Sequence, residues 1–122
     1  MRPKRLAYAA LGFVFAGLGI WLVVTQHAAW WPLAVFALAP DVTMLFGSRP
    51  GLQRGQLDPR AVPAYNAVHR YWAPIVLVVV AFVLNSTPWV AAGLAWSAHI
   101  SFDRSLGFGL RTAQGFQRER AS

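Results

Sequence analysis

The 122 residues carry 11 Lys and Arg against 4 Asp and Glu, a net charge of +7, yet 57% of the chain is apolar. Basic proteins often bind nucleic acid by neutralising phosphates, but here every basic residue falls in one of three zones, Arg2 to Arg5, Arg49 to Arg70 and Arg104 to Arg120, separated by long apolar segments. That pattern argues for no nucleic acid and for basic loops that meet membrane lipids; the absence of Cys excludes disulfides, thiolate metal ligands and cysteine nucleophiles.

In chain order the elements predict an all-α protein, a four-helix transmembrane bundle forming a single domain over 1–122. Leu6 to Val24 is free of charge, and a helix over about 5–24 rises roughly 28 Å, enough to cross a bilayer. Its run is longer than the core of a secretory signal and no small-x-small cleavage site precedes Trp30, so the helix is expected to stay uncleaved. Gly12, Gly17 and Gly19 suit close helix packing, within the chain or in a homodimer. The second helix is predicted over 30–47. Trp30 and Trp31 anchor it at an interface, Pro32 sits in its first turn, and Pro40 lies inside it directly before Asp41.

The Ser48 to Arg60 segment is rich in turn formers and reads as a solvated connection. The third helix is predicted over 63–84, with Tyr65, Asn66, His69, Arg70 and Tyr71 in its first turns and Pro74 as a bend. Asn85-Ser86-Thr87-Pro88 breaks the apolar run and starts the fourth helix, 88–106, which carries Trp96, His99, Asp103 and Arg104. A tail follows over 107–122. Because Arg and Lys crowd the N-terminus, the Gly47 to Ala64 loop and the tail, while the Thr25 to Ala29 and Asn85 to Thr87 loops have none, both termini are predicted to be cytoplasmic.

Counted from that side, Asp41, His69, His99 and Asp103 fall at similar depth, and His99 with Asp103 are spaced i,i+4 on one face. An unpaired carboxylate in lipid costs of order 2.5 to 3.5 kcal/mol on insertion scales, so Asp41 has to face protein, water or a cation. A mixed carboxylate and imidazole set suits a divalent transition metal, Zn, Fe or Mn, more than Ca. With one position left to water it could activate a hydroxide, with Asp41 as a candidate base and Asn66 or Arg70 stabilising an oxyanion. The same groups also serve a plain polar network, in which the acids pair with Arg70 or Arg104 and the imidazoles bind carbonyls freed by Pro40 or Pro74.

The run His99-Ile100-Ser101-Phe102-Asp103-Arg104-Ser105-Leu106-Gly107-Phe108-Gly109-Leu110, followed by Gly115-Phe116, resembles a family of small bacterial integral membrane proteins known as domain of unknown function 4260. Pro40-Asp41 with Leu45-Phe46-Gly47, and Tyr65-Asn66 with His69, look like its other motifs in the same order. The resemblance covers nearly the whole chain. It implies a four-helix membrane domain in the bacterial inner membrane, with the family motifs on Asp41, Asn66, His69, His99, Asp103 and Arg104, and no established activity. The chain departs after Gly115-Phe116, where Gln117-Arg118-Glu119-Arg120 replaces a frequent Thr-His-Leu.

These features favour an uncharacterised multi-pass membrane protein, structural or assisting a partner, with a buried Asp/His cluster near the cytoplasmic face. A metal-dependent hydrolase or lipid-modifying enzyme at the inner leaflet is the first alternative. A small ion or proton-coupled transporter is the second, and the apolar outer halves of the helices speak against it.

Overall fold

The computed structural model describes residues 2–118, and the tail expected to continue through Glu119 to Ser122 lies outside the described residues beyond that point. The elements of the described residues are helical: α1 (Pro3–Thr25), α2 (Trp31–Leu38), a 3-10 turn (Ala39–Asp41), α3 (Val42–Phe46), a second 3-10 turn (Pro59–Ala61), α4 (Val62–Val68), α5 (Trp72–Val83) and α6 (Thr87–Ser105). The described residues contain no strand, only an antiparallel bridge between Arg111 and Gln117.

Helix α6 is the centre of the molecule, packed by α1, α2 and α5. Its sequence allows this because Ala91, Ala92, Gly93, Ala95, Ser97, Ala98 and Ser101 are small and buried, so neighbouring helices approach closely. A Cβ on Gly12 of α1 would lie 2.6 Å from the Phe102 ring, and one on Gly93 would strike Val78 and sit 3.2 Å from the Pro74 carbonyl. Ser97 and Ser101 bond the carbonyls one turn back, of Gly93 and Ser97, at 2.9 Å each, so their hydroxyls are satisfied within the helix.

The polarity of the bundle is inverted relative to a water-soluble core. The small and polar helix is inside, while Phe13 (72% exposed), Leu38 (73%), Phe82 (73%) and Val83 (70%) face outward. Among the described residues one helix, α1, is long and apolar enough to cross a membrane, and the bent pair Pro59–Val68 and Trp72–Val83 makes a second if counted as one span.

Two predicted helices are broken, one at Pro40 and one in the turn before Pro74. The 30–47 segment divides at Pro40 into α2, the 3-10 turn and α3. The 63–84 segment divides into α4 and α5, bent by 44°. Pro74 has no N–H for the Arg70 carbonyl, and the Ala73 N–H serves that carbonyl instead at 3.3 Å in a tighter turn.

The connection after α3 and the tail after α6 pair with each other instead of running free in solvent. The Leu57 N–H donates to the Gly115 carbonyl (2.8 Å) and the Asp58 N–H to the Gly47 carbonyl (2.8 Å). Gly115 adopts φ +100°, and a Cβ there would collide with the Leu57 backbone, so only glycine fits. Leu57, Val62 and Tyr65 form a small core under this cap. Asp58 holds it from within, accepting from Arg49 (2.9 Å) and Arg60 (3.0 Å). Arg5 Nε donates to the Ser105 carbonyl at 2.8 Å, so the start of α1, the capped loop and the tail share one end of the molecule.

Candidate metal centre

Asp41 is presented by the 3-10 turn that Pro40 forces, because tightening to three residues per turn shifts the side-chain register of the following residue. His69 ends α4 at the bend. Its own N–H bonds the Asn66 carbonyl at 3.3 Å in a tight turn, and its ring Nδ1 donates to the Tyr65 carbonyl at 2.7 Å. The Val68 carbonyl, left over at the break, accepts from Trp96 Nε1 at 2.7 Å. His99 and Asp103 come from α6, and His99 Nδ1 donates to the Ala37 carbonyl at 2.8 Å.

These contacts bring Asp41, His69, His99 and Asp103 together, with one ligand atom of each within 4.8 Å of the others. His69 Nε2 lies 3.2 Å from Asp41 Oδ1 and 3.5 Å from Asp103 Oδ2; His99 Nε2 lies 3.1 Å and 3.3 Å from the same two atoms. A carbonyl can only accept, so both Nδ1 atoms carry hydrogen and both Nε2 atoms face the carboxylates. With neutral imidazoles, four lone-pair donors, two of them on anions, converge without a hydrogen between them. Protons shared among these atoms or a bound cation relieve that repulsion. His69 is 2% exposed and His99 9% on the side chain, whereas Asp103 is 21% and Asp41 46% exposed, so the cluster opens on the Asp41 side.

Asn66 and Arg70 are not part of this arrangement. Both ends of the Asn66 carboxamide engage the Arg111 backbone, Nδ2 donating to its carbonyl (3.0 Å) and Oδ1 accepting from its N–H (2.7 Å). The amide thereby pins the tail to α4. Arg70 is exposed beside the bend. Arg104 lies over the Tyr71 ring (4.9 Å) and the Tyr8 ring (5.6 Å). Among the described residues neither Arg70 nor Arg104 forms an ion pair, so the acids are not held in the way a simple Asp–Arg network requires.

Tyr65 and Arg111 support the centre without any signal in spacing or periodicity. The Tyr65 ring stacks on His69 at 4.0 Å and 18°, and the Arg111 guanidinium lies 4.9 Å from the centroid of that same ring. A tail arginine 42 positions away cannot be assigned to His69 from sequence alone; the Tyr65-Asn66 pair beside His69 was the only trace of it.

The fold and site together define an all-helical protein with a His/Asp group able to hold a metal ion. The chain belongs to the family described as Domain of unknown function (DUF4260), whose model matches residues 9–120. No curated protein and no solved structure matches it.

Proposed function

We propose that this protein is a four-span membrane protein built around a single divalent transition-metal ion held by Asp41, His69, His99 and Asp103. The observation that carries the metal is the donor geometry. Metal–N and metal–O bonds of about 2.0–2.1 Å hold neighbouring donors roughly 3 Å apart; the four His–Asp separations run from 3.1 to 3.5 Å, and all four ligand atoms lie within 4.8 Å of one another. Two neutral imidazoles, two carboxylates and a divalent ion also sum to zero charge, which suits a site among apolar helices. Zinc fits this set best, with iron or manganese next.

The outward Leu, Val and Phe side chains, the small-residue helix they enclose, and the gathering of the basic zones at one end support the membrane reading, with that end cytoplasmic. A set of four protein ligands is the closed type that cross-links structure. The ion's role in this reading is to tie the α2–α3 segment, the end of α4 and the C-terminal part of α6 into one unit, alone or for a partner protein.

Metal-dependent hydrolysis, including lipid modification at the inner leaflet, is a second reading favoured by the exposure of Asp41. The half-exposed carboxylate is the ligand best placed to yield to water and act as a base. Asn66 has no free part in such chemistry, since both ends of its amide hold Arg111. Transport is not favoured: above the cluster the α2–α6 contact is an aromatic ladder, Phe36 with Trp96 (5.6 Å) and Trp89 (5.7 Å), then Trp31 with Trp89 (5.6 Å). Elemental analysis of protein purified in mild detergent from metal-replete cells is expected to give near one zinc, iron or manganese per chain, lost in His69→Ala and His99→Ala. Absence of stoichiometric metal from the folded wild-type protein overturns the proposal.

A further inference from the structure

We infer that a second site, whose Arg111 touches the same Tyr65 ring that stacks on His69, binds a phosphate group. It is a cavity of about 170 Å³ at the capped end, lined by Met44, Gly47, Ser48, Gly55, Leu57 and Arg111 among others. Arg111 is 7% exposed. Its Nη1 donates to the carbonyls of Gly55 (3.1 Å) and Gly115 (2.9 Å), but its Nε is buried without a hydrogen-bond partner. No carboxylate pairs with it among the described residues, and Asp58, beside the cavity residue Leu57, is already held by Arg49 and Arg60.

A buried guanidinium keeps its charge at any ordinary pH, and a buried charge is ordinarily paired. Carbonyl acceptors and the Tyr65 face soften the cost but supply no anion. At about 30 Å³ per water the cavity has room for roughly five waters, enough for a phosphate group and too little for a larger ligand to be swallowed whole. Water in the cavity leaves that charge uncompensated; a phosphate supplies the missing anion, to which a guanidinium gives charge-assisted hydrogen bonds. Ser48 offers a hydroxyl on the exposed part of the lining. The phosphate can come from a phospholipid headgroup, with its chains lying along the exposed Leu45 and Phe46, or from a soluble phosphate.

The test is the thermal midpoint of detergent-purified protein titrated with inorganic phosphate against chloride at equal ionic strength, and separately with short-chain phosphatidic acid below its micelle concentration. A saturable rise is expected, weakened tenfold or more by Arg111→Gln. Because Arg111 also holds the tail, Ser48→Trp serves as the second variant: it fills the cavity mouth, leaves the Arg111 bonds intact, and is expected to abolish the response at unchanged metal content. Phosphatidic acid competing with phosphate identifies a headgroup as the source, and phosphate acting alone identifies a soluble ligand. No saturable response to either, or one that survives Ser48→Trp, overturns the inference and leaves the cavity to water.

Discussion

Each imidazole of the cluster gives its Nδ1 hydrogen to a main-chain carbonyl, of Tyr65 for His69 and Ala37 for His99, and this fixes which nitrogen meets a ligand. Metal must then displace whatever protons the two Nε2 atoms carry. Affinity is expected to fall with acid, log Kd rising by up to about two per pH unit once both imidazoles are protonated, as competition with a chelator measured between neutral and acid pH will report. Replacing either histidine by Ala is expected to weaken binding by at least about 100-fold, since a lost ligand costs more than the 10–100-fold typical of an outer-shell partner. At the cap, the Arg60 side chain, the Arg60 N–H and the Arg49 charge hold the Asp58 carboxyl below its usual range. A carboxylate whose folded pKa is depressed stabilises the fold above its unfolded value, near about 3.9, and the gain is lost as pH falls through the lowered value. Asp58→Asn is therefore expected to lower the midpoint at neutral pH and to flatten its fall in acid, seen in thermal melts across that range.

At the scale of elements, the breaks matter more than the helices. The bend between α4 and α5 is what lets His69 turn inward, and Trp96 stabilises it through the Val68 carbonyl. Trp96→Phe leaves that carbonyl unsatisfied, with an expected loss of about 1–3 kcal/mol and weaker metal binding, both read from unfolding with and without chelator. Gly93→Val forces α5 from α6 and is expected to cost about 1–3 kcal/mol through overpacking, with the metal ligands of α6 left in place. The four metal-ligand candidates were legible in sequence because a helix has a fixed rise, so counting from each end gives depth. The i,i+4 spacing of His99 and Asp103 likewise gives a face. Pro40 and Pro74 marked the bends, but not that the helices break there or one turn before, because whether a proline kinks or breaks depends on which groups elsewhere capture the freed carbonyls. The clasp of Asn66 on Arg111, and of Leu57 on Gly115, had no periodic signature: each reaches an irregular segment about 45 to 58 positions away, and the partner atoms there are backbone atoms that every residue possesses.

For the molecule as a whole, the inverted polarity and the single basic end belong to one account, in which the bundle lies in a bilayer with the metal centre near the cytoplasmic side. The chain contains no Cys, so single cysteines report topology cleanly: a probe at His27 or Asn85 is expected to label from one side of the membrane and one at Gln53 from the other. Labelling of all three from the same side would contradict the four-span arrangement. The central claim is that three separate segments of the bundle close on one ion. X-ray absorption at the zinc edge, on zinc-loaded protein in lipid nanodiscs, tests it most directly. The expected spectrum has four N/O neighbours at about 2.0–2.1 Å with the outer-shell signature of two imidazoles, reduced to one in His99→Ala. A spectrum without imidazole, or one unchanged by that substitution, would contradict the account.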